Sequence, residues 1–513
     1  NVSFTGTVDG NAALAISSTS GRIQFFGAVG AGTPLQAVNL TGYVGVDALS
    51  TLAIDGTGGN SHGLVLQGSG AVNMSQPGST IRNANLSGIH VRSSFDFSRL
   101  GGFTITDSGE HGIDVESGFA RSGVIENNTI TGSGGDGIRT SGAIGLDIQG
   151  NRVAGGAKAG IRVVNGGNFK DDTFSISNNT IGLGANGKVA LPNAGQGLLI
   201  SGGFGVSAVD NLIGGNDQFG IVVTNGASGV SLRGNTIGLG TDFSTPVPNG
   251  QSGIFVLGNA TGTVIASNTI RNNSGMAGIQ VVDGSTNTMI GGATAGEANL
   301  IASSGEFGIT VSGVVTGTQV LRNLVSGSTT ANIYLNNAQG LSLGDASGGG
   351  NEIDAADHGI IAGGDLTGTT IAGNTISTHS ITGVLLAGAQ NVTVEQNTIK
   401  DNTAYGLFGT GDLAGSQVKS NTLSEQQVGV YVYEGSNLTI GASDGTAVPA
   451  TEGNLISNNS FAGVILDGGT DANGSLTSNV SVLSNSMYNN SQFGIALVNG
   501  ANDGILRPSL SSA

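Results

Sequence analysis

The chain has no cysteine, no tryptophan and only 7 prolines in 513 residues. Without cysteine there are no disulfides, no thiolate zinc sites and no iron–sulfur clusters. Charge is scarce, at 10% of residues, and lopsided: 34 acidic side chains against 17 basic ones, a net of −17. Such a balance argues against a nucleic-acid partner, which asks for a basic face. No run of about 18 apolar residues exists, so no helical membrane span is expected. Lys, Glu and Arg, the good helix formers, are rare. Abundant instead are Asn, Ser, Thr and above all Gly, 93 residues or about 18% where roughly 7% is usual. Little proline and no glycine at every third place exclude collagen. Regular Val, Ile and Leu exclude a disordered acidic tail. Short strands and tight turns are the expected local structures.

These residues are ordered as a repeat, the first thing to seek in such a chain. The pattern Gly, apolar, any, apolar starts at Gly63, Gly88, Gly112, Gly137, Gly160, Gly197, Gly220, Gly253, Gly278 and Gly308. It continues at Gly359, Gly383, Gly406, Gly429, Gly463 and Gly494, with Asn332 standing in once. Most steps are 23 to 25 residues, and the longer ones reach 30 to 37. In phase with it runs Asn, small or Leu, then apolar, from Asn128 and Asn151 to Asn454 and Asn485. A third strand, such as Val230-Ser231-Leu232 or Val392-Thr393-Val394, lies between them. Each turn thus holds three strands of three to five residues with alternating apolar positions, too little to bury a core alone. Stacking turn upon turn solves this, with Ile over Ile and Asn over Asn. The predicted fold is an all-β, right-handed parallel β-helix solenoid with three short parallel sheets and about 17 or more coils, handed by the crossover rule. Gly before the strand and Asn at the bend are expected to supply left-handed or tight backbone. Longer turns carry inserts near Gly182–Gly187, Gly238–Asp242, Gly291–Gly296 and Gly441–Gly445, expected as side loops.

The phrases Asn127-Asn128-Thr129-Ile130 and Gly220-Ile221-Val222-Val223 resemble the right-handed parallel β-helix repeats of the pectate-lyase-like superfold, in the variety common in large bacterial secreted or surface proteins. The resemblance covers about residues 60–500. It implies the fold and leaves function open, because that scaffold carries lyases, epimerases, hydrolases, tailspikes and adhesins alike. Residues 1–55 read as irregular N-terminal β coils or a cap, 56–500 as the parallel β-helix, and 501–513 as a C-terminal tail. Neither end carries a charged amphipathic helix, and open strand edges invite continuation end to end.

Nine of the 17 basic residues lie between Arg82 and Lys170: Arg82, Arg92, Arg99, Arg121, Arg139, Arg152, Lys158, Arg162 and Lys170. There the outward residue of the Gly strand reads His90, Asp114, Arg139, Arg162 on successive coils, a column with rungs about 5 Å apart. A base beside cations is what proton abstraction next to a uronate carboxylate needs. Paired charges on an exposed sheet are the simpler expectation. Further on the same column reads Leu199, Val222, Phe255, Gln280, Thr310, Tyr334, Ile361, Leu385, Phe408, Tyr431, Ile465. Three roles fit this apolar stripe: core beneath folded-over loops, lateral contact with another chain, or a platform for sugar rings.

Loop aspartates Asp171, Asp172, Asp217, Asp242, Asp345, Asp444 and Asp471 offer the oxygen ligands Ca²⁺ takes. The regular calcium β-roll nonapeptide is absent, so solvated aspartates are expected, and no other metal or cofactor. His62, His90, His111, His358 and His379 show no metal-ligand spacing. The resulting expectation is a secreted or cell-surface structural or adhesive β-helix without catalytic role. It would be a stiff segment of a bacterial surface protein or filament, joined to itself or to neighbouring segments through its ends or stripe, with polysaccharide as a candidate ligand. Two alternatives stand beside it: a polysaccharide lyase or epimerase acting on an acidic glycan through His90, Asp114, Arg139 and Arg162, and a tailspike-like trimer.

Overall fold

Strands this short bury their apolar side only by stacking, and that requirement shapes the whole molecule. In the computed structural model, residues 2–48, 50–68, 72–92, 99–116, 123–167, 174–282, 284–442, 452–469 and 477–502 are described. The chain is an all-β right-handed parallel β-solenoid with almost no helix. It forms two compact units, 1–264 with 268–275, and 265–267 with 276–513.

From Ile113 onward each turn of the first unit contributes one strand to each of three sheets, whereas earlier strands such as Val72–Arg82 and Arg99–Thr106 run on through a bend. The Gly sheet contains Ile113–Glu116, Ile138–Ser141, Ile161–Gly166, Leu198–Gly203 and Ile221–Thr224, paired in parallel. The Asn sheet contains Thr129–Thr131, Arg152–Ala154, Thr180–Ile181, Leu212–Ile213 and Thr236–Ile237. Gly123–Glu126, Leu146–Gln149, Phe174–Ser177, Val206–Val209 and Ser231–Arg233 make the third. The bore is a stack of like on like: Ile130, Val153, Ile181, Ile213 and Ile237 pair in sequence, all fully buried. Parallel pairing begins early, with Val2–Phe4 on Ile23–Phe25 and Ala13 opposite Ala37. The insert after Ile181 folds back through a Leu183–Ala190 bridge, that after Ile237 through Leu239–Pro246, and Lys188 Nζ joins the two at 2.9 Å from Asp242.

In the second unit the Gly strand and the third strand run on as one in several turns: His358–Ala372, Thr382–Glu395, Tyr405–Lys419 and Val428–Gly441. These strands of 14 or 15 residues exceed the expected three to five. The bend between the two parts survives as a register shift, at Gly363/Gly364 and Asp365/Thr369, rather than as a break. The part of the insert from 443 to 445 and the tail residues from 503 onward lie outside the described residues.

Apolar burial drives the stack, and buried asparagines satisfy the bends. In the first unit Asn128, Asn151, Asn179, Asn211, Asn235 and Asn268 are at most 1% exposed. Along most of the row each Nδ2 donates to the Oδ1 of the next at 2.9–3.0 Å and to a carbonyl of the coil on the other side. The second unit repeats this from Asn323 through Asn351, Asn374, Asn397 and Asn421 to Asn454. Buried polar groups satisfied in this way stabilise and specify register.

The expected backbone roles of Gly and Asn need correction. The ladder asparagines are not left-handed. The residue before most of them takes that conformation, as Asn127 (φ 51), Asn178 (φ 55) and Gln396 (φ 53) do. Nor are the strand glycines left-handed; most, though not Gly494, are required by crowding. A Cβ on Gly383 would sit 2.6 Å from Ile399 Cγ2 and 2.7 Å from the Gly406 carbonyl oxygen. Replacing Gly383 by Ala should therefore destabilise the second unit by about 1–3 kcal/mol, read as a lowered urea midpoint.

Candidate functional site

The register places His90, Asp114, Arg139, Arg162, Leu199, Val222 and Phe255 one above the other in the first unit. Although they point outward, His90 and Asp114 are only 3% exposed. His90 Nδ1 lies 3.2 Å from Asp114 Oδ2, and Arg139 Nη1 lies 3.3 Å from Asp114 Oδ1 and 3.4 Å from Glu116. The His62 ring stacks on His90 at 4.2 Å. His62 Nδ1 accepts the Ser87 amide hydrogen, and burial with the neighbouring His90 pushes its pKa down to about 4. Burial pulls the Asp114 pKa upward, but the His90 hydrogen bond and the nearby His111 and Arg139 outweigh it, so the carboxyl titrates below its ordinary range. Asp114 is thus a carboxylate held by two partners, a poor base. Among the described residues His90 Nε2 has no hydrogen-bond partner; Glu116 Oε2 is 4.0 Å away.

One turn further the character changes. Asp136 is 1% exposed. Its Oδ1 accepts the Ala159 amide hydrogen, while its own amide donates to His111 Nδ1 at 3.0 Å. With that nitrogen accepting, the 3.5 Å approach of His111 Nδ1 to Asp136 Oδ2 carries no proton. Oδ2 is left without a donor, and so is Arg162 Nε without an acceptor, among the described residues. Both residues line one open recess of about 210 Å³ together with Lys158, Gln196 and Gln218, and Gln196 Nε2 donates to Gln218 Oε1 at 2.7 Å. Leu199 borders it. The sequence column contained Arg162 but not Asp136 or Lys158. Both lie in the turn before a strand glycine, where side chains of adjacent coils meet as closely as those of the strand. Arg121 and Lys170 lie outside the described residues.

In the second unit Thr310, Tyr334, Ile361, Leu385, Phe408, Tyr431 and Ile465 pair in sequence after Gln280. Ile465 is buried, as is Val222 in the first unit; Leu199, Phe255, Tyr334, Ile361, Leu385, Phe408 and Tyr431 are half-buried. The rings lean on rings in the adjoining turn column: Phe219 on Phe255 at 4.9 Å, Phe307 on Tyr334 at 4.8 Å, Tyr405 on Tyr431 at 4.9 Å. Interplanar angles of 16–30° make these face-to-face stacks, so much of the aromatic face is taken by the protein itself.

A second polar ladder, unseen in the sequence, runs Asn193, Asn216, Asn249, Asn273, each Nδ2 2.9 Å from the next Oδ1. The signal was a polar residue four places before most strand glycines. In the second unit His379 occupies this position. Among the described residues no group of three or more His, Asp or Glu is placed to hold a metal ion. Asp242 and Asp345 spend their oxygens on turn partners, Thr245 and Ser347. Asp171, Asp172, Asp444 and Asp471 lie outside the described residues. No described helix is long and apolar enough to cross a membrane.

The sequence matches a family model described as "Right handed beta helix region" over residues 62–237, 252–444 and 358–507. No curated protein sequence matches it. Among solved structures it is similar to the Dettilon tailspike protein, at 14% identity and a TM-score of 0.34, over 80% of this chain and 62% of the tailspike. Pre-mature bacteriophage phi29 gene product 12 is similar at 12% identity and 0.34, over 93% of this chain and 67% of that one. The A-module of an Azotobacter vinelandii mannuronan C-5 epimerase is similar at 12% identity and 0.26, over 85% and 90%. At these identities the likeness is one of fold alone.

Proposed function

The chain belongs to the right-handed β-helix family, and from that premise we propose that it is a non-catalytic, adhesive extracellular β-helix that holds an acidic glycan on its first unit. The observation that carries this is the recess around Arg162, Lys158 and Asp136. It is a cationic site in an acidic chain, with a buried carboxylate oxygen and a guanidinium nitrogen both lacking partners. A uronate carboxylate answers Arg162 and Lys158, and sugar hydroxyls face Gln196 and Gln218. Binding is favoured over chemistry because Asp114, the candidate base, is already engaged by His90 and Arg139. The stacked stripe and polar ladders serve stiffness.

Calorimetry with polygalacturonate or alginate oligosaccharides tests this. Saturable binding is expected, weakened at least about tenfold by Arg162→Ala, with neutral oligosaccharides inert and no unsaturated or shortened product formed. Chain cleavage or epimerisation that disappears in His90→Ala and Arg139→Ala would assign the first unit to catalysis instead.

A further inference from the structure

In the second unit the outward stripe gives way to small and aliphatic residues after Tyr431. Along the turn column Tyr405 is followed by Val428, Ala462 and then Phe493; along the outward column Tyr431 is followed by Ile465 and Ala496. The four small or aliphatic residues between are buried and form one apolar floor. Over that floor opens a cleft of about 290 Å³, lined by Tyr405, Tyr431, Phe461 and Phe493 and by one charged group, Asp467.

Asp467 is held as a carboxylate. Oδ2 accepts the Tyr431 hydroxyl at 2.8 Å; Oδ1 accepts the Gly469 amide at 2.9 Å and Asn499 Nδ2 at 2.7 Å. Burial works against ionisation, but these bonds outweigh it and keep the group's pKa below its ordinary value. None of the residues lining the cleft is basic. A recess with four aromatic rings, an apolar floor and one uncompensated negative charge selects a cation with an apolar coat. A sugar asks for hydrogen-bonding groups spread around its ring, where the lining adds only Gln427 and two tyrosine hydroxyls to Asp467; a phosphate asks for a cation, and none lines the cleft.

We propose that this cleft binds a small soluble quaternary ammonium compound of choline size, its methyl groups against the rings and its charge facing Asp467. The site is independent of the acidic-glycan site on the first unit.

The test is calorimetry on the full chain with four probes: choline, its neutral isostere 3,3-dimethylbutanol, phosphocholine and methyl glucoside. Choline should bind at least about tenfold more tightly than the neutral isostere and than phosphocholine, with the glucoside inert. Phe493→Ala and Asp467→Asn should each weaken choline about tenfold or more while uronate binding on the first unit stays unchanged. Should Asp467→Asn fail to fold, Phe493→Ala carries the comparison, since its ring lies at the cleft rim. Choline binding no better than the isostere, glucoside binding more tightly, or no saturable choline binding at millimolar concentration would overturn the proposal.

Discussion

Replacing Asn374 by Ala should destabilise the second unit by about 3–5 kcal/mol, one of the largest effects of any single polar substitution in the chain. Asn374 is 1% exposed. Its Nδ2 donates to Asn397 Oδ1 at 3.0 Å and to the Leu343 carbonyl oxygen at 3.0 Å, and its amide donates to the same Asn397 oxygen. Its Oδ1 accepts both the amide and the Nδ2 of Asn351, at 2.9 and 2.8 Å. Alanine keeps the backbone amide bond to Asn397 but removes the four side-chain bonds, leaving the buried Asn351 amide without its acceptor and Asn351 Nδ2 with the Val320 carbonyl alone. Stranded groups cost more than the bonds themselves contribute. The exposed Asn336→Ala, in a neighbouring coil, should stay within about 0.5 kcal/mol of the parent. Urea unfolding followed by circular dichroism measures both. Similar midpoints for the two variants would mean that the ladder is ornamental.

The second large effect is a pH dependence centred on His379, which is fully buried. Its Nδ1 lies 2.8 Å from Asn402 Oδ1 and its Nε2 lies 3.2 Å from Asn332 Nδ2. The amide nitrogen of Asn332 can only donate, so Nε2 accepts and the proton sits on Nδ1. A second proton would set one N–H against another. Burial, with a smaller push from His358, brings the His379 pKa down to about 4 against a hydrogen bond to Asn402 that raises it. Unfolded, the ring takes a proton near 6.5; folded, it resists until about 4. The stabilisation is complete above pH 6.5 and drains away as pH falls toward 4, by about 3 kcal/mol in all. Half-buried His62, shifted the same way, adds a smaller loss in the first unit. His379→Asn fits the column, because Asn402, Asn459 and Asn490 occupy it in other coils with the same backbone contact. The variant should keep its stability between pH 6.5 and 4.5 better than the parent. Parallel curves for parent and variant over that range would contradict the assignment.

Columns were legible in the sequence because a stacked turn turns period into adjacency. The Gly and Asn phrases set which residues share a rung, so His90 was found beside Asp114 and Phe408 beside Tyr431. Three things were not legible. Nothing in the spacing told that Asp114 would be saturated by His90 and Arg139, since that depends on rotamers. The phrase reads the glycine before the strand as left-handed or tight backbone, whereas at Gly383 it answers crowding, because carbonyl approach between coils is set by the pitch and not by the local phrase. Members of the second polar ladder and of the Asp136 recess sit in turns whose residue types vary from coil to coil, as Ser108, Asn193 and His379 do at one shared place. Their common role appears only once the coils are superposed in space.

The direct test of the glycan-holding assignment is a crystal structure with a bound uronate oligosaccharide. Density should span the recess on the first unit, with a carboxylate on Arg162 and Lys158, hydroxyls beside Gln196 and Gln218, and the chain intact. An oligosaccharide lodged instead against His62 and His90 with a broken or inverted linkage, or no density at the recess under saturating ligand, would contradict it.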